Sequence, residues 1–248
     1  MLILHIENNY FATINREAVH MFNHLLSQKI GQCAGLSVIF TVLFLLGCSK
    51  SPDSTPVETN QEPVLGCDGQ TYIMPSESPY VLPFPVGQTF QTGLTNCSSS
   101  FHGPGQPDQY AFDFNMPTGT PFVAARGGIV FEVVENASGK NNLAKFTNSD
   151  NYSIVGNYVT IDHGDSTFGL YLHSPDDGIA VTVGDPVQQG DVLGVTGRSG
   201  LAGYPHLHFI VVKYPPEFPY SGIAVSFSNA LPADVVLQGD TQYKAVAY

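Results

Sequence analysis

Two histidines, His206 and His208, stand one residue apart in the apolar run Tyr-Pro-His-Leu-His-Phe-Ile-Val-Val at residues 204–212. Aromatic and β-branched residues dominate this run, which predicts a strand over residues 206–213. Side chains of a strand alternate between its faces, so the two imidazoles share one face, about 6.6 Å apart along the chain. This spacing lets one imidazole hold a metal ion while the other faces that metal's water. For such a pair taken alone, a solvated strand face is the alternative.

Three other segments carry groups that could act with this pair. They are Phe-His-Gly at 101–103, Tyr-Ala-Phe-Asp-Phe at 110–114 and Leu-Tyr-Leu-His at 170–173, and Gly-Arg-Ser-Gly follows at 197–200. With the stretches at 110–130 and 156–164, their order and spacing resemble the LytM/lysostaphin-type zinc metallopeptidases, the M23 peptidase family. The resemblance covers residues 80–215.

The resemblance implies one zinc ion per chain, held by His102, Asp113 and His208 with a fourth position open for water. Asp113 and His208 match the aspartate and the second histidine of the family motif. Many relatives place the first ligand in His-x-x-x-Asp, but here that position is Gln109, whose amide is a poor zinc ligand. A branch of the family has its histidine further upstream, and His102 fits that branch. We interpret Asp108, the other nearby donor, as a solvated loop carboxylate.

By the same resemblance, His173 and His206 are the catalytic residues. Zinc lowers the pKa of its bound water towards about 7, so attack on a peptide carbonyl needs a base for the water's proton and a donor for the leaving amine. For His173 the alternative is a buried histidine bonded to a carbonyl. We interpret His163 as a turn-capping or indirect supporting residue. The resemblance also implies that Arg198 and Tyr204 flank the cleft entrance, where they could bind substrate.

The elements that must position these residues are strands. Glycine and proline recur through the chain, and no sustained helical apolar stripe follows residue 50, so the body is predicted to be all-β. The resemblance adds an antiparallel β-sandwich or hybrid of the lysostaphin-like peptidase type. Predicted strands span residues 121–125, 129–135, 158–162, 168–172, 179–183, 192–195 and 206–213. An exposed loop is expected between residues 134 and 152.

The N-terminal residues are expected to be a targeting segment. Residues 36–47 form a short apolar run that ends in Leu-Leu-Gly-Cys, which resembles the lipobox of bacterial lipoproteins with Cys48 as the lipidated residue. A plain secretion signal or an uncleaved anchor is the alternative, and Met21 is a second candidate start. The expected organisation is a signal peptide at 1–47, a flexible tether at 48–63, a proline-rich lead-in at 64–100, the peptidase domain at 101–215 and a C-terminal extension at 216–248.

Two cysteines remain in the body, Cys67 and Cys97, and in an oxidising envelope they are predicted to form a disulfide. A pair of thiols that serve a metal is the alternative, but neither cysteine lies in a Cys-x-x-Cys motif.

The formal net charge of −12 offers no basic face for phosphate backbones, so nucleic acid is not an expected partner. The expected protein is a zinc metalloendopeptidase of the bacterial envelope, anchored by lipid to the outer membrane on its periplasmic side, that cleaves crosslinks or stem peptides of peptidoglycan. One alternative is a catalytically inactive LytM-like module that binds the wall or activates a hydrolase. Another is a metalloprotease that acts on proteins.

Overall fold

The computed structural model of the 248-residue chain describes residues 62–135, 156–217 and 219–248. These residues belong to one compact unit, Thr59–Tyr248. The predicted signal peptide, Cys48, nearly all of the tether and the loop after residue 135 lie outside the described residues. Within the described ranges, no helix is long and apolar enough to cross a membrane.

The described part of the chain is built almost entirely from antiparallel strands. The main sheet has nine strands in the order β10-β11-β1-β2-β9-β6-β5-β4-β7, and β3 pairs with β8 in a second, two-stranded sheet. The strands are β1 (Thr89–Thr92), β2 (Phe112–Asn115), β3 (Pro121–Val123), β4 (Gly128–Val134), β5 (Asn157–Asp162), β6 (Thr167–Ser174), β7 (Pro186–Val187), β8 (Val192–Val195), β9 (Leu207–Lys213), β10 (Ala230–Leu231) and β11 (Gln242–Ala245). Two 3-10 turns, Pro75–Glu77 and Ser100–His102, are the only helical elements among the described residues.

The main sheet buries apolar side chains on both of its faces. Phe112, Tyr171 and Phe209 belong to the larger cluster, whereas Leu172 and Ile210 belong to a second cluster. Because side chains alternate along each strand, neighbours in β2 and β9 fall on opposite faces. The face that carries Leu172 and Ile210, called the second face below, therefore also carries the candidate site.

The prediction of an all-β, antiparallel fold is confirmed. Six of the seven predicted strands are present, with ends shifted by at most two residues. The strand predicted at 179–183 is wrong, because in this segment only Ile179 makes a bridge, to Gly194. The chain turns immediately afterwards: the backbone N–H of Asp185 donates to the carbonyl of Thr182, and the Asp185 carboxylate accepts from the N–H of Thr182.

Both segments that flank the predicted peptidase domain join the same sheet. The C-terminal extension supplies β10 and β11, β11 pairs with β1, and β1 pairs with β2. The proline-rich run at 79–87 forms no strand, yet it buries Tyr80, Leu82 and Phe84 in the larger cluster. The central strands are therefore supported by residues from well beyond 101–215.

Candidate active site

Asp113 and His208 face each other on neighbouring central strands. They are register partners in the antiparallel pair of β2 and β9, which places both side chains on the second face of the sheet. Nδ1 of His208 lies 2.9 Å from Oδ1 of Asp113, and both residues are buried. Burial acts to raise the pKa of Asp113, but the hydrogen bond and the charge of His208 hold that pKa below its ordinary value. Burial acts to lower the pKa of His208, and contacts with Asp108 and Asp113 outweigh it and raise that pKa.

His102 reaches the same carboxylate from the 3-10 turn Ser100–His102. Its Nε2 lies 3.5 Å from Oδ1 of Asp113, and its ring centroid is 5.2 Å from that of His208. The side chain is buried, which lowers the pKa of His102 to about 4 against the opposing charge of Asp113. Its Nδ1 is buried without a hydrogen-bond partner among the described residues.

Gln109 occupies the position where many relatives have a histidine. Its side chain forms hydrogen bonds with the surrounding loop and with the lead-in and does not point to the site. Its Oε1 accepts from the backbone N–H of Gly105 at 2.9 Å, and its Nε2 donates to the Asp68 carboxylate at 3.1 Å. The structure joins Cys67 to Cys97 in a disulfide, and the N–H of Cys97 donates to the carbonyl of Gln109 at 2.7 Å. The bridge thus ties the lead-in to the loop that carries His102.

His206 and His173 present their Nε2 atoms to the site because backbone carbonyls hold the other ring nitrogen. Nδ1 of His206 lies 2.8 Å from the carbonyl of Tyr204, and Nδ1 of His173 lies 2.8 Å from the carbonyl of Ser199. A carbonyl only accepts, so Nδ1 carries the hydrogen and Nε2 carries the lone pair in the neutral ring. The ring centroids are 4.7 Å apart, and Nε2 of His206 is 3.6 Å from Oδ1 of Asp113. Burial lowers the pKa of both rings.

A β-bulge brings His173 to this face. Leu172 pairs with Tyr158 and Ser174 pairs with Asn157, so His173 is the unpaired extra residue of β6. Strict alternation would place His173 on the face of Tyr171, away from His208. His173 instead adopts a φ of 78°, in the left-handed region, and its ring lies 5.7 Å from that of His208. The bulge therefore redirects the imidazole into the site.

The Gly-Arg-Ser-Gly loop at 197–200 holds the bulge in place. The hydroxyl of Ser199 donates to the carbonyl of Ser174 at 2.5 Å and accepts from the N–H of Asn157 at 2.8 Å. Gly197 packs directly against the bulged strand, where an added Cβ would lie 2.9 Å from the carbonyl oxygen of His173. Only glycine permits so close an approach of the two backbones.

Two overlapping groups of these side chains could hold a metal ion: His102 with Asp113 and His208, and His173 with His206 and His208. The donor atoms of each group lie within 4.8 Å of one another. Two ligand atoms that each lie about 2.0–2.2 Å from a tetrahedral zinc ion are about 3.4 Å apart. Oδ1 of Asp113 lies 3.5 Å from Nε2 of His102 and 2.9 Å from Nδ1 of His208, and these distances bracket that value. The first group also supplies a carboxylate, as in hydrolytic zinc sites with two histidines and one acid. Its buried residues therefore fit zinc.

The structure brings the five predicted metal and catalytic residues together and leaves other candidates aside. His163 contacts the carbonyl of Gly127 through Nδ1 at 3.0 Å and packs on Tyr80, outside this group. The guanidinium of Arg198 donates to the carbonyl of Ala202 within its own loop. Tyr204 packs against His206 with ring centroids 4.8 Å apart, so it lies at the edge of the site.

The interpretation of Asp108 as a solvated loop carboxylate holds only in part, since the side chain lies in a loop and is 24% exposed. Its Oδ1 is buried and lies 3.6 Å from Nε2 of His208, on the side of the ring opposite to Asp113. Loop residues have no fixed alternation, so the sequence holds no signal for the direction of this side chain. Its position five residues before Asp113 is the one available indication that it could approach the site.

Comparison with known proteins identifies a family for part of the chain. Residues 108–218 match the model of peptidase family M23. These residues form an M23 peptidase domain. An uncharacterized metalloprotease of Buchnera aphidicola is 30% identical over 142 residues, which are 55% of this chain and 32% of that protein. The peptidoglycan DD-endopeptidase ShyA of Vibrio cholerae is 32% identical over 136 residues, 54% of this chain and 25% of that protein.

Among solved structures, the catalytic domain of lysostaphin from Staphylococcus simulans is 25% identical. The match covers 50% of this chain and 80% of that domain, with a TM-score of 0.38. The chain spans a third or less of the length of the two curated relatives described above.

Proposed function

We propose that this M23 domain is a zinc-dependent metalloendopeptidase that cleaves the peptide part of bacterial peptidoglycan. The observation that carries the proposal is the convergence of five buried side chains on one face of the central sheet. These are His102, Asp113, His173, His206 and His208. Asp113 lies on β2, His173 on β6 and His208 on β9, and β9 pairs with both β2 and β6. His102 comes from the 3-10 turn, and His206 directly precedes β9.

In this proposal His102, Asp113 and His208 would hold one zinc ion. Zinc when bound supplies a Lewis acid that polarises a peptide carbonyl and makes water acidic enough to attack near neutral pH. Asp113 lies between the two imidazoles, at 3.5 Å from His102 and 2.9 Å from His208. Its negative charge is the one formal charge in the ligand set, and it offsets part of the charge of a divalent cation.

His173 and His206 then handle protons at Nε2. Each ring is fixed by a carbonyl at Nδ1, so its free lone pair points into the site and can accept a proton from the attacking water. The protonated ring can pass that proton to the leaving amine. Burial lowers the pKa of both rings and keeps them neutral before attack.

Peptidoglycan as the substrate is inferred from the relatives. One curated relative is named a peptidoglycan DD-endopeptidase, and this chain aligns with it over 136 residues. Digestion of purified sacculi by the wild-type protein should release crosslink or stem-peptide fragments that mass spectrometry identifies. A chelator should stop the release, added zinc should restore it, and His206→Ala should remain inactive. Cleavage of casein with no release from sacculi would replace this substrate by a protein substrate.

We also propose that Cys48 is lipidated and that the protein is held at the outer membrane, facing the periplasm. The Leu-Leu-Gly-Cys sequence supports this assignment, and Ser49 follows the cysteine. A single acyl chain gives marginal binding, so stable attachment requires a multiply acylated cysteine. In fractionated cells the wild type should sediment with membranes and Cys48→Ala should appear in the soluble envelope fraction. Wild type recovered in the soluble fraction would contradict the anchor.

A further inference from the structure

We propose that Asp108 is a positioning residue for His208. Its carboxylate accepts the hydrogen of Nε2, which leaves the Nδ1 lone pair directed at the zinc site beside Asp113. The inference rests on the proposed function, because it concerns a ligand of the proposed zinc ion.

The geometry places a carboxylate on each side of one imidazole. Oδ1 of Asp113 is 2.9 Å from Nδ1 of His208, and Oδ1 of Asp108 is 3.6 Å from Nε2. The Asp108 oxygen is buried and has no hydrogen-bond partner in the described part of the chain. A buried carboxylate oxygen needs a donor, and Nε2 of His208 is a possible donor 3.6 Å away. The proposed hydrogen bond requires these two atoms to approach by several tenths of an ångström.

The backbone around Asp108 is fixed by several contacts. Its own carbonyl accepts from the N–H of Ala111 at 2.8 Å, one residue before β2 begins. The next residue, Gln109, accepts from the N–H of Cys97 through its carbonyl and from the N–H of Gly105 through its side chain. The disulfide and these hydrogen bonds hold the loop backbone in the position from which the Asp108 side chain reaches His208.

The choice of tautomer is what Asp108 controls. A neutral imidazole carries one hydrogen, and the nitrogen without it is the one that binds a metal. Without an acceptor at Nε2, the hydrogen of His208 goes to Nδ1, where Asp113 accepts it. The two proposed ligands then bond to each other and Nδ1 has no lone pair for zinc. With Asp108 in place, His208 would keep the hydrogen on Nε2 when zinc replaces the hydrogen that Nδ1 shares with Asp113 in the metal-free protein. Removal of such outer carboxylates lowers metal affinity by about 10–100-fold in other metal sites.

The test is the zinc dissociation constant of the purified protein, measured by competition with a chromophoric chelator. Asp108→Ala should raise the dissociation constant about 10–100-fold. Asp108→Asn keeps an accepting oxygen without the charge and should recover part of the loss. Asp165→Asn is the matched control, because it removes one carboxylate that pairs with Arg126 away from the site. This control should bind zinc as the wild type does.

A spectroscopic signature separates positioning from a general loss of structure. In the cobalt-substituted protein, Asp108→Ala should shift the visible absorption bands, while the metal-free variant should still unfold in one cooperative thermal transition. Unchanged zinc affinity and unchanged cobalt spectra in Asp108→Ala would overturn the inference. Complete loss of zinc in Asp108→Ala with full retention in His102→Ala would also overturn it, since Asp108 would then be a ligand. A wild-type protein that binds no zinc would instead overturn the proposed function.

Discussion

Asp113 has imidazoles on three sides, and this arrangement defines the site at the scale of single residues. Its Oδ1 lies within 3.6 Å of nitrogen atoms of His102, His206 and His208. Burying a carboxylate among neutral groups is unfavourable, and partners of opposite charge offset the penalty. In the metal-free protein His208 supplies that partner, as the raised pKa of its ring indicates. A divalent cation at the same place would satisfy the carboxylate and both ligand rings.

The first prediction separates the proposed zinc ligands from the proposed catalytic histidines. Asp113→Ala and His208→Ala should lose zinc, because each removes one of the three proposed ligands. His173→Ala and His206→Ala should retain about one zinc per chain and lose turnover by about 10²–10⁴-fold, the usual range for a general acid or base. Elemental analysis and peptide-release assays on the same preparations give the two readouts. Loss of zinc in His206→Ala with retention in His208→Ala would mean that the roles of the pair are reversed.

At the scale of elements, the central feature is the bulge in β6. His173 is held at a φ of 78° by the pairing of its neighbours with β5 and by the loop at 197–200. For a residue with a Cβ, this conformation costs about 1 kcal/mol or more, whereas glycine adopts it freely. The orientation of the His173 ring towards the site therefore requires a strained backbone conformation.

The second prediction tests this strain with two variants that differ by one methyl group. Both His173→Gly and His173→Ala remove the imidazole and should be inactive. Alanine normally stabilises a folded chain relative to glycine, but at this φ the order should reverse, with the glycine variant more stable by about 1 kcal/mol. Thermal unfolding of both metal-free variants measures the difference. An alanine variant that is the more stable of the two would contradict a left-handed conformation at this position.

The loop that carries His102 is held in position by the disulfide between Cys67 and Cys97. Cys67 and Cys97 are 30 residues apart, and Cys97 lies five residues before His102. A bridge that closes a loop of this length stabilises a protein by about 3–4 kcal/mol in the chain-entropy model. The Gln109 contacts to Gly105 and Asp68 add local restraint to the same loop.

The third prediction is that loss of this bridge weakens zinc binding as well as stability. A Cys67→Ser/Cys97→Ser variant should unfold with about 3–4 kcal/mol less free energy and should bind zinc less tightly, because the first ligand is no longer held near Asp113. Unfolding curves and chelator competition, each against the oxidised wild type, measure the two effects. Equal zinc affinity in the two proteins would show that the bridge supports the fold alone.

The sequence predicts the five residues that the structure brings together and six of the strands, but it does not reveal several features around them. His206 and His208 are recognisable because a strand period of two fixes their shared face, and the spaced motifs resemble one family. The position of His173 does not follow from that period, since a bulge shifts the alternation. Asp108 sits in a loop without periodicity. The strands β1, β10 and β11 are short, and their pairing partners lie far away in the sequence, so local patterns do not reveal them.

At the scale of the whole molecule, the C-terminal extension completes the core behind the site. Phe227 is fully buried, and its ring centroid lies 5.1 Å from that of Phe112 and 6.1 Å from that of Phe114. These two phenylalanines flank Asp113 on β2 and point to the opposite face of the sheet. Tyr243 on β11 is also fully buried in this cluster. The support for the central carboxylate thus comes from residues more than 100 positions further along the chain.

The fourth prediction concerns this support. Phe227→Ala should lower the free energy of unfolding by about 3–5 kcal/mol, because it leaves a cavity against β2.

Removal of residues 216–248 deletes Phe227, Tyr243 and the partner strand of β1. The resulting loss of folding free energy approaches the whole stability of a typical domain, about 5–15 kcal/mol. The shortened protein should therefore lack a cooperative thermal transition. Leu231→Ala is the control, since Leu231 is 55% exposed and its truncation should change stability by about 0.5 kcal/mol or less. A shortened protein that unfolds cooperatively and binds zinc like the full chain would show that residues 101–215 with the lead-in are sufficient.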